Sequence, residues 1–245
     1  MERTAGQAIL KHPNTEWLLV AHEGGADTPD KPHNNHYGFR VARPEEIAAA
    51  WKYLEANKDR YGIRRVTPPR ESHYANSIYL AEPGGNDLEI EYYAPEAVAV
   101  GRSIAAPHWA RPLPEARFPG RGYVPQALTH GTLECDDKEA SERFYRNVLG
   151  LEIAGGGRIS TYIKHSSTPW YIVVLPVKRR HYLGRSNRFT LRVASPEAVE
   201  EAHRLFATTG KRLGIAALDD LQHCAGAVAF TFSDLDRNWW EVTAA

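Results

Sequence analysis

Histidine, tyrosine and tryptophan are the chemically informative excess in this 245-residue chain, with 11 His, 12 Tyr and 6 Trp. Neutral imidazole is the commonest side-chain ligand for a divalent metal. Tyrosine and tryptophan build aromatic walls that carry a polar tip. Most such residues only pack, so their spacing matters more than their number, and several recur at a fixed offset. His12 and Trp17 in AILKHPNTEWLLVAHEGG match His165 and Trp170 in TYIKHSSTPWYIVVLPVK, 153 residues on. NHYGFRVARPEEIAAAWKYLEA, from Asn35, matches NRFTLRVASPEAVEEAHRLFAT, from Asn187, 152 residues on. GGNDLEIEYY, from Gly84, matches DRNWWEVTAA, from Asp236, so Glu89 falls on Glu241. Cys135 and Cys224 have no base placed beside them by the pattern and read as buried thiols rather than nucleophiles.

A repeat of this length implies two half-chains of one architecture. In the second half, LTHGTLEC (128–135) alternates as a strand. Asp136 is placed to cap the next helix, with Glu139 three residues on. Ala140, Phe144, Tyr145, Val148 and Leu149 follow helical spacing, and Gly150 stops the helix. Strand-like segments come near 151–154, 159–164 and 169–177. The pattern then restarts with RFTLRV. Ser195-Pro196 opens a helix predicted to run to about Gly210. Strands follow near 212–217, 226–233 and 238–243. The unit is βαβββ, used twice.

The first half holds a unit and a half. HYGFRV, a helix over about 44–57, and strands near 62–66, 76–82 and 87–93 make a complete unit. Before residue 24 only the last two strands of a unit are expected. The counterpart of His130 would fall at 130 − 153 = −23, ahead of Met1. Either the start is misassigned or the fold does without that strand and helix. The expected division is a first half over 1–93, a Pro/Ala/Gly/Arg-rich linker over 94–123, and a second half over 124–245.

Composition narrows the class. Thirty Lys+Arg cancel thirty Asp+Glu, which argues against non-specific nucleic-acid binding. No apolar run approaches the ~18 residues that cross a bilayer. No long apolar segment opens the chain, so a secretory signal is not expected. Two cysteines build no disulfide framework, and reduced thiols in a cytoplasm are the expectation. Lys178-Arg179-Arg180 reads as a solvated turn, and Asp136-Asp137 as a helix cap.

THGTLEC followed by DDKEASERFYRNVLGLE, together with HYGFRV and EPGGNDLEIEYY, resembles the vicinal oxygen chelate superfamily of glyoxalase I, bleomycin-resistance proteins and type I extradiol ring-cleaving dioxygenases. The resemblance spans nearly everything outside the linker. It implies an α+β fold in which βαβββ modules pair into half-open barrels around one divalent metal, with the first module N-terminally incomplete. It also implies the ligands, namely His36, Glu89 and His130. Strand parity supports that assignment. Tyr37, Phe39 and Val41 form an apolar face, which leaves His36 on the other. Leu88, Ile90 and Tyr92 likewise leave Glu89 opposite. Two imidazoles and a carboxylate suit non-haem Fe(II), and Mn(II) takes the same donors. In the fourth module Arg188 stands where His36 does in the second. A guanidinium cannot be a ligand. The expectation is one live site and one extinct site, with Arg188 and Glu241 as an ion pair.

The stretch Ile78 to Glu89 is similar to the closing half of the extradiol dioxygenase signature. By that resemblance Tyr79 and His73 are hydrogen-bond donors at the site, although the spacing from His73 to Ile78 is one residue short. The acid/base histidine of those enzymes is replaced here by Trp170 and Tyr171, which would wall the pocket. Tyr171 is a candidate donor, but a phenol is a poor base. His165 and His181 lie on flanking loops as substitutes. The first reading is an Fe(II)-dependent extradiol-type dioxygenase acting with O2 on a catecholic or related aromatic substrate. A redox-neutral isomerase or lyase of the glyoxalase type would need a carboxylate base and a fourth ligand. Glu91 is the only candidate base, and the WYIVVLP strand supplies no carboxylate. A metal-free binding or resistance protein is the third reading. Exposed strand edges in the incomplete module suggest a homodimer.

Overall fold

A computed structural model describes residues 2–4, 6–24, 34–72, 74–99, 103–107, 109–156, 159–224 and 226–244. In chain order the elements of the first half are β1 (Glu2–Thr4), β2 (Gln7–Lys11), β3 (Leu18–His22), β4 (Tyr37–Arg40), α1 (Glu45–Ala56), α2 (Lys58–Tyr61), β5 (Arg65–Val66), β6 (Arg70–Ser72), β7 (Ala75–Ala81) and β8 (Asp87–Tyr93). A short helix, α3 (Pro95–Ala99), opens the linker. The second half holds β9 (Ala127–Cys135), α4 (Lys138–Asn147), β10 (Glu152–Gly156), β11 (Thr161–Lys164), β12 (Tyr171–Pro176), β13 (Arg188–Arg192), α5 (Pro196–Leu213), β14 (Ala217–Leu218), β15 (Gln222–Cys224), β16 (Ala227–Ser233) and β17 (Trp239–Ala244). This is the α+β arrangement of repeated modules. Two of the modules pair their first strand in parallel with their last, β4 with β8 and β13 with β17.

Contacts group the chain into two compact units. One is bounded by Met1–Gly24, Asn35–Thr132 and Glu152–Val173, the other by Gly25–Asn34, Leu133–Leu151 and Val174–Ala245. The principal sheet runs β10-β11-β12-β9-β4-β8-β7-β5, with β6 also on β7. At its centre β9 and β4, the opening strands of two modules, pair antiparallel. On one side of this sheet, Ile78, Leu80 and Ile90 join Val41, Ile47, Ala50 and Leu54 in an apolar core under α1. Strand alternation therefore sends Tyr79, Glu89 and Glu91 to the opposite face.

In the other unit, α5 packs its Phe206 against Phe230 and Phe232 of the sheet β13-β17-β16-β14, with ring centroids 5.8 and 5.0 Å away. Arg188 and Glu241 form the expected ion pair, 2.9 Å apart. Thr190 donates a second hydrogen bond to that carboxylate at 2.8 Å.

Several local expectations are corrected. Before residue 24 there are three strands rather than the expected two, because Glu2–Thr4 pairs with β2. The helix expected to end near Gly210 continues to Leu213. Gly210 is buried against Ile215, and Gly214, at φ +92°, takes the left-handed cap. The extra turn consumes most of the strand expected over 212–217, leaving Ala217–Leu218. Arg180 does not lie in a solvated turn. Its side chain is 5% exposed and pairs with Asp236 at 3.0 Å.

The cap of α4 is Asp137, not Asp136. Its carboxylate accepts from the Glu139 and Ala140 amides at 2.9 and 3.1 Å. Asp137→Ala should therefore cost about 0.5–2 kcal/mol in thermal or urea unfolding. Asp136→Ala, at an exposed position, should change stability by less than about 0.5 kcal/mol. Equal losses for the two variants would contradict this assignment.

Candidate metal centre

The register of three adjacent strands builds the site. Gly38 on β4 stands opposite His130 on β9 and beside Glu89 on β8. Strands lie ~4.8 Å apart, so side chains from β9 and β8 have to meet across β4. A side chain on β4 at that level would block them. Gly38 removes it, since a Cβ there would lie 2.0 Å from His130 Cε1. His36, two residues earlier, supplies the third donor.

The three donor atoms form a nearly equilateral triangle. His36 Nε2 and His130 Nε2 each lie 3.1 Å from Glu89 Oε2, and the two nitrogens lie 3.1 Å from each other. Adjacent corners of an octahedron with bonds of ~2.2 Å are about this far apart. The residues therefore fit a divalent metal on one face of an octahedron. Among the described residues this is the one His/Cys/Asp/Glu group able to hold an ion.

Other residues hold these three side chains. Tyr171 stacks on His130, with centroids 5.3 Å apart and planes 15° from parallel. Its hydroxyl accepts from Arg40 Nη2 at 3.2 Å. Tyr79 meets His36 edge-on at 5.4 Å and hydrogen-bonds Glu89. Thr132 Oγ1 lies 3.4 Å from the His36 ring nitrogens. Glu91, on the same face as Glu89, is tied to Arg40 at 2.7 Å. Trp170 is buried beside Tyr171 in sequence. His165 Nδ1 accepts from Ser167 at 2.6 Å in an exposed turn. His181 lies in the second unit, and His73 lies outside the described residues.

Electrostatics in the metal-free chain follow from this packing. Burial opposes ionisation of Glu89, but hydrogen bonds from His130 and His36 outweigh it and hold the carboxyl well below the usual range. Burial also opposes a charged His130. The Glu91 charge and the hydrogen bonds to Glu89 and Glu91 reverse that and raise the imidazole to about 9. Burial, followed by the Glu89 charge, raises the Tyr79 phenol. Burial and the Glu91 charge raise Tyr171. Both phenols stay protonated near neutrality.

A pH prediction follows, with its sign. An imidazole whose folded pKa exceeds its unfolded ~6.5 stabilises the metal-free fold below ~6.5, and that contribution fades as pH rises toward about 9. A metal has to displace the same proton. Apparent affinity for Co(II) should rise up to tenfold per pH unit between ~7 and about 9, with release of a proton, and then level off. Calorimetry in buffers of different ionisation heat measures that proton. A pH-independent affinity would contradict His130 as a ligand.

Two signals in the sequence pointed beyond the ligands themselves. A glycine inside a strand marks close approach of another group, and Gly38 in HYGFRV is one. Alternation along HYGFRV also places Arg40 on the His36 face.

Comparison with known proteins bears on the fold. Residues 2–90 match the family model described as the Glyoxalase/Bleomycin resistance protein/Dioxygenase superfamily. Two crystallised point variants of glyoxalase I from Zea mays are similar in fold, with TM-scores of 0.59 and 0.57 at 13% and 14% identity. Each comparison covers 93% of this chain and 74% or 73% of the maize chain. A Bacillus subtilis protein described as a "putative dioxygenase" aligns with a TM-score of 0.56 at 14% identity, over 93% of this chain and 67% of its own. No curated protein matches the chain.

Proposed function

From a chain that resembles the glyoxalase/bleomycin resistance/dioxygenase superfamily in sequence over residues 2–90 and in fold over most of its length, we propose a non-haem Fe(II)-dependent dioxygenase of the extradiol type. Its proposed substrate is a catecholic or related aromatic ring, cleaved with O2. The observation that carries the reading is the donor count. Two imidazoles and one carboxylate converge within 3.1 Å of one another, and no fourth His, Cys, Asp or Glu joins them among the described residues. An ion held by His36, Glu89 and His130 would keep room for two vicinal substrate oxygens. Fe(II), or Mn(II) on the same donors, supplies Lewis-acid activation of the diol and one-electron chemistry with dioxygen.

The chain's own residues orient and protect. Tyr79 keeps its proton and donates it to Glu89, so its part is to hold that carboxylate in place. Tyr171 keeps its proton too, but Arg40 holds its hydroxyl, so its ring serves as a wall against His130. Glu91 is a poor base, because the Arg40 guanidinium beside it outweighs burial and holds its carboxyl below the usual range. That weighs against the enediolate chemistry of a redox-neutral isomerase or lyase, which needs a carboxylate base beside the metal.

The test is anaerobic reconstitution with Fe(II), followed by O2 uptake with a panel of catechols. Wild type is expected to bind about one Fe per chain and consume O2 with at least one catechol. His36→Ala is expected to lose both. Turnover of a 2-oxoaldehyde–thiol adduct with Zn(II) or Ni(II), without O2 uptake, would replace this reading with the redox-neutral one. A wild type that refuses every divalent metal would leave the site as a small-molecule binding site.

A further inference from the structure

Arg40 is buried on β4, the strand that also leads from His36, and all of its donor groups are engaged. Nε and Nη2 donate to Glu91 Oε1 at 3.0 and 2.7 Å. Nη2 also reaches the Tyr171 hydroxyl at 3.2 Å. Nη1 donates to the carbonyls of Ile104 and Ala106 at 2.8 and 3.2 Å, in the linker turn that follows α3. The Glu91 oxygen that takes two of these bonds also accepts from Thr129 Oγ1 at 2.9 Å. Thr129 Oγ1 in turn lies 3.2 Å from His130 Nδ1, and Glu91 Oε1 faces the same nitrogen at 3.5 Å.

The Glu91 carboxylate and the Gly38 carbonyl, 2.9 and 3.1 Å from Thr129 Oγ1, only accept, so the one hydroxyl proton is directed to that side, away from His130. The hydroxyl oxygen is then open to accept from His130 Nδ1–H. With the proton on Nδ1, the Nε2 lone pair faces His36 and Glu89. Hydrogen bonds of this kind, from the distal nitrogen of a metal-ligating imidazole to an acceptor, set its tautomer and orientation. Arg40 acts on the same ring a second time, because Tyr171, which it holds, stacks on His130. A buried ion pair in a protein core gives little net stability against an apolar replacement. This one converges on a ligand from two directions.

We infer that Arg40 and Glu91 are positioning residues of the metal centre, which aim His130 Nε2 at the metal and couple that aim to the linker turn at residues 103–106. The inference rests on the metal-centre reading above.

The test measures Co(II) affinity and thermal unfolding side by side for five proteins, namely wild type, His36→Ala, Glu91→Gln, Arg40→Met and the Arg40→Met/Glu91→Gln double variant. Wild type is expected to bind one Co(II) per chain, and His36→Ala none. Each single variant should bind roughly 10–100-fold more weakly. In the double variant both charges are gone, so stability should recover toward wild type while affinity stays as low as in either single. A double variant whose affinity recovers together with its stability would show that the pair is merely structural. So would single variants that bind like wild type. If a single variant fails to fold, the double variant decides. A wild type that takes up no Co(II) overturns the metal-centre reading and this inference with it. Normal uptake in wild type and double variant alike overturns the inference alone.

Discussion

Gly38→Ala is expected to abolish metal binding at concentrations that saturate the wild type, a loss of at least ~100-fold in affinity. A Cβ at this position would lie 2.0, 2.3 and 2.7 Å from Cε1, Nδ1 and Nε2 of His130. The obstruction is a ring, not the end of a flexible chain. That ring is fixed by Tyr171 on its face and by Thr129 at Nδ1. It cannot step aside without leaving Glu89. Overpacking of a close-packed interior costs about 1–3 kcal/mol, and the lost ligand comes on top of that. Co(II) titration with a parallel thermal melt measures both. A folded Gly38→Ala protein that binds Co(II) as tightly as wild type would remove His130 from the ligand set.

The second large effect lies in the other compact unit. Arg180→Met should destabilise the chain by ~3–5 kcal/mol, the usual consequence of removing one member of a buried ion pair. Asp236 is 3% exposed, and its carboxylate accepts from Arg180 Nη1, from the Ser141 hydroxyl and from the Asp136 amide. Arg180 Nη2 also donates to the Asp236 carbonyl. Without the guanidinium, the carboxylate is left charged in a site that water does not reach. Urea unfolding measures the loss. Lys178→Ala and Arg179→Ala, two and one residues earlier and exposed, should each stay within about 0.5 kcal/mol of wild type. Equal losses at all three positions would contradict a specific role for Arg180.

The contrast between those three basic residues shows what sequence can and cannot carry. Strand alternation is local, and the faces it assigned to Glu89 and Ile90 are those of the structure. The internal repeat was also legible, including Arg188 against Glu241, because it compares the chain with itself. Arg180 has a partner 56 residues away, and nothing in its neighbourhood distinguishes it from Lys178 or Arg179. The end of α5 was misplaced for a related reason. Two glycines stand four residues apart, and only tertiary packing decides that Gly210 is held against Ile215 while Gly214 turns the chain. At the candidate centre, His36, Glu89 and His130 were singled out through a resemblance, while the residues that hold them depend on cross-strand register. Gly38 is legible as a strand glycine, but its reason is an imidazole 92 residues on.

The order of the central strands also bears on how such a chain comes to hold an ion. His36 and Glu89 come from one module and His130 from the next, 94 residues after His36. β4 cannot present its histidine to that partner until β9 has been synthesised and has paired with it. Such long-range strand pairing is slow and carries its loop-closure cost before any contact rewards it. Convergence of the three side chains is therefore a late event in biogenesis, and it follows closure of the central sheet.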